Sequence, residues 1–561
     1  MSSSSKTLSD VDGPAWEKMS SGEIRLICCS LVSLLVSCVL WSSRKQEWVD
    51  EIYTWTEVND PSLWHLYYAI QHGADGGMPM FYTTAWIWAK IFGSSALALR
   101  LYSCLAFCGA LVVVWKTVRR AYGVNSTAFG VLMVWGTSAL ILNQNAEARY
   151  YGLYTLMVSI AIALYMRLAE EENPKLNLLA GAMLAQAALV LSHVLGVIYG
   201  GLILFALILF DATKRRFRIR VYLFHAAGWL ALLVWSPAIL ASMAVGKPHS
   251  WIPMPVKLDV LVSYTFQMWM NPILLLHRDY ELTQRHYEDF MVHAVRHLLL
   301  VLVAIVFLSV LVKLWRNLTS EPSKLESDKR TPLLIVAFLI LTTPLILLIL
   351  SYLVTPLFVS RYALPSAIGM AIILVAFADG LGLDRIKRLN STPGVTWAVL
   401  VGVLVGMPVI SALTLVPEYV NPESLDVPRL NALVPPGVPV VVAWQHDFFT
   451  LMRYSERTDR PYVFLLDWPT ALSGKAGFVT DFHLMRNYRQ VGYFSRNIED
   501  QSNFVCTHPY FLVLDDRTMS WFDAAVKELP GLKADIFAVI DKDRQLIAVH
   551  KASPLAGCGQ S

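Results

Sequence analysis

The stretch 78-MPMFYTTAWIWAKIFG-93 is apolar enough to enter a membrane and too short to cross one. About 15 helical residues rise roughly 22 Å, against about 30 Å of hydrocarbon. With Lys90 near its end, the segment suits an interfacial or re-entrant helix. Its reading decides the topology of everything after it. If 78–93 does not span and the N-terminus is cytoplasmic, the basic clusters KTVRRAYG, KRRFRIR, KLWRNLTSEPSKLESDKR and DRIKRLN all fall on the cytoplasmic side. Letting it cross sends KTVRR outside and disturbs each later assignment. The charge pattern therefore favours eleven spans, at about 24–42, 97–116, 126–143, 150–168, 176–192, 194–210, 221–243, 291–313, 332–352, 363–381 and 394–415.

Composition agrees with a polytopic α-helical membrane protein. The 561 residues are 55% apolar and 16% charged, where a soluble chain carries roughly 25% charge. A net charge of +4, concentrated in the short clusters between spans, gives no reason to expect a nucleic-acid partner. The first apolar run is longer than a signal-peptide core and no small-residue cleavage site follows it, so it reads as a retained helix. Five of the seven cysteines lie in expected spans, and none has zinc-site spacing. Cys506 and Cys558 could pair if the C-terminal region is extracytoplasmic.

After the last span the pattern changes. VPVVVAWQH, YVFLLD, YFLVLD, DIFAVI and QLIAVH read as short strands, and DFFTLMRYSER, DFHLMRNYRQ and SWFDAAVKEL as helices. The expected organisation is a cytoplasmic tail at 1–23, a membrane domain at 24–420 with an external loop at 43–96, and a soluble α/β domain at 421–561. This topology puts Asp50, Glu147, His193, the 246–290 loop, Arg361 and the C-terminal domain on one side, the extracytoplasmic one.

Three constellations on that side can carry chemistry. WVDEIYTW (48–55) sets Asp50 beside Glu51, just after the first span. The bland reading is an interfacial acidic pair. However, Tyr53, Trp55, Trp64, Tyr67 and Tyr68 follow and can hold an ordered loop, which also contains His65, His72 and Asp75. A carboxylate in such an aromatic-walled place can act as a general base on a hydroxyl. NQNAEARYYGLY (143–154) places Glu147 and Arg149 at a membrane boundary, where ionisable groups are costly. They could close a helix junction as an ion pair, or orient an acceptor or metal and face an anionic donor. His193 breaks an apolar stretch near the same face, where a lone histidine is more often a hydrogen-bonded packing residue than a functional one. LFVSRYALP (357–365) carries Arg361 between aromatics. Its guanidinium either snorkels or meets a lipid phosphate.

In these residues the chain resembles the GT-C glycosyltransferases of the protein O-mannosyltransferase and aminoarabinose transferase type, over roughly residues 45–380. Asp50 and Glu51 with Tyr53 look like the family's DE motif. MPMFYTTAWIWAKIFGSSALALRLYS is similar to its Pro–aromatic juxtamembrane helix and the arginine-led span that follows. EARYYGLY is similar to a second acidic segment, and SRYALP to the late segment that meets the donor phosphate. The resemblance implies a multi-pass enzyme of the inner (plasma) membrane that transfers a sugar from a polyprenyl-phosphate donor to an extracytoplasmic hydroxyl, with inversion at the anomeric carbon. It implies catalytic roles for Asp50, Glu51 and Glu147, and phosphate binding by Arg361, Tyr362 and Arg149. Tyr53, His72, Tyr82 and His193 would line the substrate. Glu51 and Glu147 would position the acceptor or a weakly held divalent ion. Relatives often have Pro-Pro before the aromatic pair and some have an acid before that proline, where this chain has Met78, Gly76 and Gly77. Two rivals also fit the spans: a transporter or flippase of lipid-linked saccharides, and a non-catalytic assembly or sensor protein. Neither requires adjacent acids on an ordered external loop. The sugar and the acceptor are not written in the chain.

The topology predicts that single cysteines at positions 50 and 445 react with an impermeant thiol reagent on intact cells, and that one at position 216 does not. Outside labelling at 216 would overturn the eleven-span count.

Overall fold

The computed structural model describes residues 19–246, 261, 264–265, 268, 290–319, 328–386, 392–414, 424–459, 461–466, 479–516 and 531–552. The expected helix SWFDAAVKEL, most of the 246–290 loop and Cys558 lie outside them. Among the described residues, nine helices are long and apolar enough to cross a membrane. A tenth expected span is a pair of helices bent by 64°, and the eleventh is the 17-residue helix Leu176–Ser192. Every apolar run read from the sequence thus has a helical counterpart.

The chain opens with α1 (Ser21–Ser42), capped by Ser20, whose hydroxyl accepts the Glu23 N–H at 3.2 Å. Three helices then fill the loop after it: α2 (Val49–Val58), α3 (Leu63–Gln71) and α4 (Pro79–Phe92). α4 is the stretch on which the topology turns. It starts on Pro79, whose missing N–H is no loss in a first turn. It stops at Gly93, where φ is +84°. Its 14 residues extend about 21 Å, short of a span. Next come α5 (Ala96–Val118), α6 (Val124–Thr137), α7 (Ala139–Asn145), α8 (Tyr151–Glu170), α9 (Leu176–Ser192) and α10 (Gly196–Thr213). Close approach of helices relies on small residues. At Gly130 of α6, a Cβ would stand 2.5 Å from the Val375 backbone nitrogen of the helix Ala367–Gly380.

Contacts sort the two ends of the bundle. At one end Glu23 binds Arg119 and Trp115, Arg120 meets Glu170, Asp211 binds Arg216 and Arg218, and Asp379 binds Arg330 and Lys313. These are the basic clusters that decided the topology. At the other end lie the pairs Lys45–Glu147, Arg100–Glu51 and Arg149–Asp50, with His193 and Arg361 close by.

The C-terminal region holds a six-stranded sheet of order β3-β2-β1-β4-β6-β5, made of β1 (Val440–Val442), β2 (Tyr462–Leu466), β3 (Ile498–Asp500), β4 (Tyr510–Asp516), β5 (Leu532–Val539) and β6 (Arg544–Lys551). The first four strands run parallel and the last two pair antiparallel. β3 was not legible in sequence, since three residues show no alternation. Cys506, in the helix Gln501–Thr507, is disulfide-bonded.

This domain is built onto the loop that carries α2 to α4. Val49, Ile52, Tyr53, Ala69 and Ala74 join its hydrophobic core. Glu47 accepts hydrogen bonds from Arg453 at 2.7 Å and the Tyr454 hydroxyl at 2.9 Å. The Tyr53 hydroxyl donates to Gln445, Tyr493 donates to Asp60, and Asn487 donates to the Gly73 carbonyl. Ile52 alone, fully buried, contributes about 1.5–3 kcal/mol to holding α2 in place.

On its other side α2 is tied to α5 by charge. Arg100 binds Glu51 bidentately, at 2.7 and 2.8 Å, with both side chains sealed from solvent. Removing one partner of such a pair strands a buried charge. Arg100→Met is expected to cost about 3–5 kcal/mol, read as a large fall in melting temperature in detergent. The double variant Arg100→Met/Glu51→Gln should recover much of the loss. A single variant as stable as the parent would show that the pair does not anchor α2.

Candidate active site

The site forms where α2, the α7–α8 turn and the segment Ser360–Ser366 converge. Trp48 begins α2, and Asp50 falls in its first turn. Glu51 accepts the Trp48 N–H at 3.4 Å. Consecutive helical residues point in different directions, so the two acids part. Asp50 turns outward with a side chain 21% exposed, and Glu51 turns into the protein with 0%. Besides Arg100, Glu51 accepts the Ala148 backbone N–H at 2.8 Å. Burial alone would raise the Glu51 carboxyl, but the charge and hydrogen bonds of Arg100 hold it below its ordinary range.

The turn bearing Glu147 and Arg149 exists because α6 and α7 bend apart at Ser138, whose hydroxyl caps α7 through the Ile141 N–H. Ser103 of α5 then donates to the Arg149 carbonyl at 2.7 Å. Arg149 reaches back to α2. Its guanidinium donates to the Asp50 carbonyl at 2.9 Å, to Thr54 at 3.3 Å and to Asp75 at 3.1 Å, and approaches the Asp50 carboxylate at 3.9 Å. Glu147 pairs with Lys45 at 2.8 Å, both 5% exposed.

Arg361 completes the arrangement from the far side. Its Nε donates to the Tyr151 hydroxyl at 2.9 Å, and its terminal nitrogen lies 3.7 Å from the Asp50 carboxylate. Trp48 and Tyr362 wall the guanidinium at 5.1 and 5.9 Å. Asp50 thus sits between two guanidiniums, both slightly beyond hydrogen-bond distance. Among the described residues none donates a hydrogen bond to its carboxylate, so its lone pairs remain available.

The other residues singled out in the sequence separate into two groups. Tyr82 donates to Asp75, and burial together with the Asp75 charge pushes its phenol up. Gly77 permits this contact, since a Cβ there would stand 2.1 Å from the Tyr82 ring. His193 stacks on Tyr154 and borders Tyr150 and Tyr362. Its Nδ1 accepts the Leu195 N–H at 3.0 Å, so its proton sits on Nε2. Tyr53 lies against the C-terminal domain, ring to ring with Phe449. His72 is exposed at the end of α3, bonded to the Tyr68 carbonyl of its own helix, and is not brought into the site.

Glu51 and Glu147 do not suit a divalent cation. A cation site needs carboxylate oxygens free of competing charge, and each of these faces an arginine or a lysine. Among the described residues no group of three His, Cys, Asp or Glu side chains is placed to hold a metal. Several participants escaped the sequence reading: Lys45, Trp48, Glu57, Arg100 and Tyr151. Two of them had a signal: Arg100 as the arginine that leads the span after 78–93, and Glu57 in its seven-residue spacing from Asp50, which puts both on one helical face.

Residues 75–240 match the family described as dolichyl-phosphate-mannose-protein mannosyltransferase. Two crystal structures of ArnT from Cupriavidus metallidurans share the fold. The one bound to undecaprenyl phosphate matches with a TM-score of 0.53, and the apo state with 0.54. Both are 13% identical and cover 94% of this chain and 98% of theirs. Among curated proteins none matches the chain. The chain thus shares the polytopic fold of ArnT, and its residues 75–240 match the mannosyltransferase family model.

Proposed function

We propose that this protein is an integral-membrane glycosyltransferase that moves a sugar from a polyprenyl-phosphate donor to a hydroxyl of an extracytoplasmic acceptor, a lipid, glycan or protein. The observation that carries this reading is the condition of Asp50. It is more open than Asp75 or Glu51, flanked by two guanidiniums and given no hydrogen bond among the described residues. The GT-C fold, the matched mannosyltransferase family and the undecaprenyl phosphate bound to ArnT support the lipid-phosphate donor. The positive clusters at the opposite end of the bundle and the disulfide at Cys506 support an extracytoplasmic site in the inner (plasma) membrane.

In this reaction the acceptor oxygen attacks the anomeric carbon while Asp50 takes the hydroxyl proton. The bond from that carbon to the phosphate oxygen breaks, and its electron pair leaves with the phosphate. Arg361, preorganised by Tyr151, Trp48 and Tyr362, faces the charge that develops there. Arg149 binds the α2 backbone and orients Asp50. Glu51 acts through Arg100 as an anchor, and Glu147 through Lys45. Inversion at the anomeric carbon follows from the resemblance to the GT-C enzymes.

Purified protein in lipid nanodiscs, given a panel of synthetic polyprenyl-phosphate sugars, is expected to transfer label to an acceptor. Asp50→Asn should still bind donor and lose about 100-fold to 10,000-fold in rate, since the amide cannot take a proton at neutral pH. Near-normal turnover by a well-folded Asp50→Asn would sink the assignment. For Arg361 the loss should appear mainly in donor use. Arg361→Lys keeps the charge without the planar fork and should be milder than Arg361→Ala. Unchanged donor kinetics in a stable alanine variant would remove Arg361 from the phosphate site.

A further inference from the structure

Glu57 takes no part in the reaction above, yet it lies on the same face of α2 as Asp50, two turns further along. Its side chain is fully buried and neither carboxyl oxygen makes a hydrogen bond of normal geometry among the described residues; the Tyr82 hydroxyl, which donates to Asp75, is near enough to act on it, but weakly. The groups that face it come from every surrounding element. They are Asp60 at the end of α2, Asp75 before α4, Tyr82 in α4 and Arg149 in the α7–α8 turn. Tyr488 and Tyr493 approach from the C-terminal domain. Arg149 is the one cation in that set, and its guanidinium is engaged with Asp75, Thr54 and the Asp50 carbonyl. A bare carboxylate enclosed beside Asp75 and Asp60 would carry a large desolvation penalty.

We propose that Glu57 is a positioning residue of the transfer reaction: held as a neutral acid beside Asp75 and Tyr82, it leaves Arg149 bound to Asp75 and aimed at Asp50. The proposal rests on the reading of Asp50 as the base. With Glu57 neutral, the anions Asp75 and Asp50 face Arg149 and Arg361, and Asp60 is held by the Tyr493 hydroxyl and the His65 ring. With Glu57 ionised, a surplus negative charge stands beside Arg149 and draws the guanidinium away from Asp50. Burial first, then the Asp75 charge, pushes the Glu57 carboxyl well above its ordinary 4.5. The sign follows. A carboxyl raised in the folded state stabilises the fold below its unfolded value, and that stability is lost as pH rises through the raised one. The loss therefore falls on the neutral-to-alkaline side of the ordinary carboxylate range.

Three readouts test this. In the infrared spectrum of the purified protein at neutral pH, a carboxylic-acid C=O band that shifts in heavy water should be present and should vanish in Glu57→Gln. The alkaline decline of wild-type melting temperature and kcat should flatten in Glu57→Gln, which cannot ionise. Glu57→Ala opens a hole beside Tyr82 and should lower kcat about 100-fold, as a misplacement of about 1 Å does, while Glu57→Gln restores most of it with little change in KM. Absence of the band from the wild-type protein overturns the proposal. So does an unchanged alkaline limb in Glu57→Gln, or equal losses in Glu57→Gln and Glu57→Ala. If Glu57→Gln does not fold, the wild-type band titrated against pH decides, since it must disappear together with activity. If the wild-type protein transfers no sugar from any donor, the proposed function fails, while the infrared and melting readouts still decide whether Glu57 holds a proton.

Discussion

Much of the site depends on one buried ion pair. Arg100 and Glu51 are both withdrawn from solvent, and each satisfies the other with two parallel hydrogen bonds. Arg100 also binds the Lys45 carbonyl at 2.9 Å, and Glu51 also accepts the Ala148 N–H. A single pair thereby joins the end of the first span, the start of α2, the second turn of α5 and the turn before α8. Such a pair contributes little net stability compared with apolar packing, but it tolerates few alternative geometries. Its effect is to fix the rotation of α2, and that rotation determines which way Asp50 points.

The opposite side of α2 is closed by a second structure. Its apolar residues belong to the core of the C-terminal α/β domain, and Tyr53 hydrogen-bonds Gln445 at the start of the helix that follows β1. The helix bearing Asp50 is therefore held between a membrane bundle and a domain that starts about 370 residues later in the chain. This gives the C-terminal domain a physical role at α2: it restricts motion of a short helix that, at ten residues, would be marginal alone.

The carboxyl groups around α2 show how environment assigns function to chemically similar side chains. Glu51 is held ionised by Arg100, and Glu147 is paired with Lys45. Asp75 accepts from Tyr82 and Arg149. Glu57 has burial and a neighbouring anion, which favour its neutral form. Asp50 alone combines partial exposure with two cations that stand off from it. Two arginines at this distance set the local potential around Asp50 without occupying its lone pairs.

The membrane architecture was legible in the sequence because it is set by one-dimensional quantities. Run length, hydropathy and the side on which lysine and arginine fall are properties of the chain, and hydrocarbon thickness converts them into spans. The short segment 78–93 follows the same rule and forms a 14-residue helix. Asp50, Arg149 and Arg361 stood out because ionisable groups at a membrane boundary are rare. What the sequence could not specify was partnership. That Glu51 turns inward to Arg100, that Glu147 goes to Lys45, that His72 stays on the surface and that Glu57 is enclosed are consequences of helix rotation and of contacts between residues tens to hundreds of positions apart. Only tertiary packing decides those, because the energy of a buried charge depends on what lies within a few ångströms of it, and neighbours in space are not neighbours in the chain.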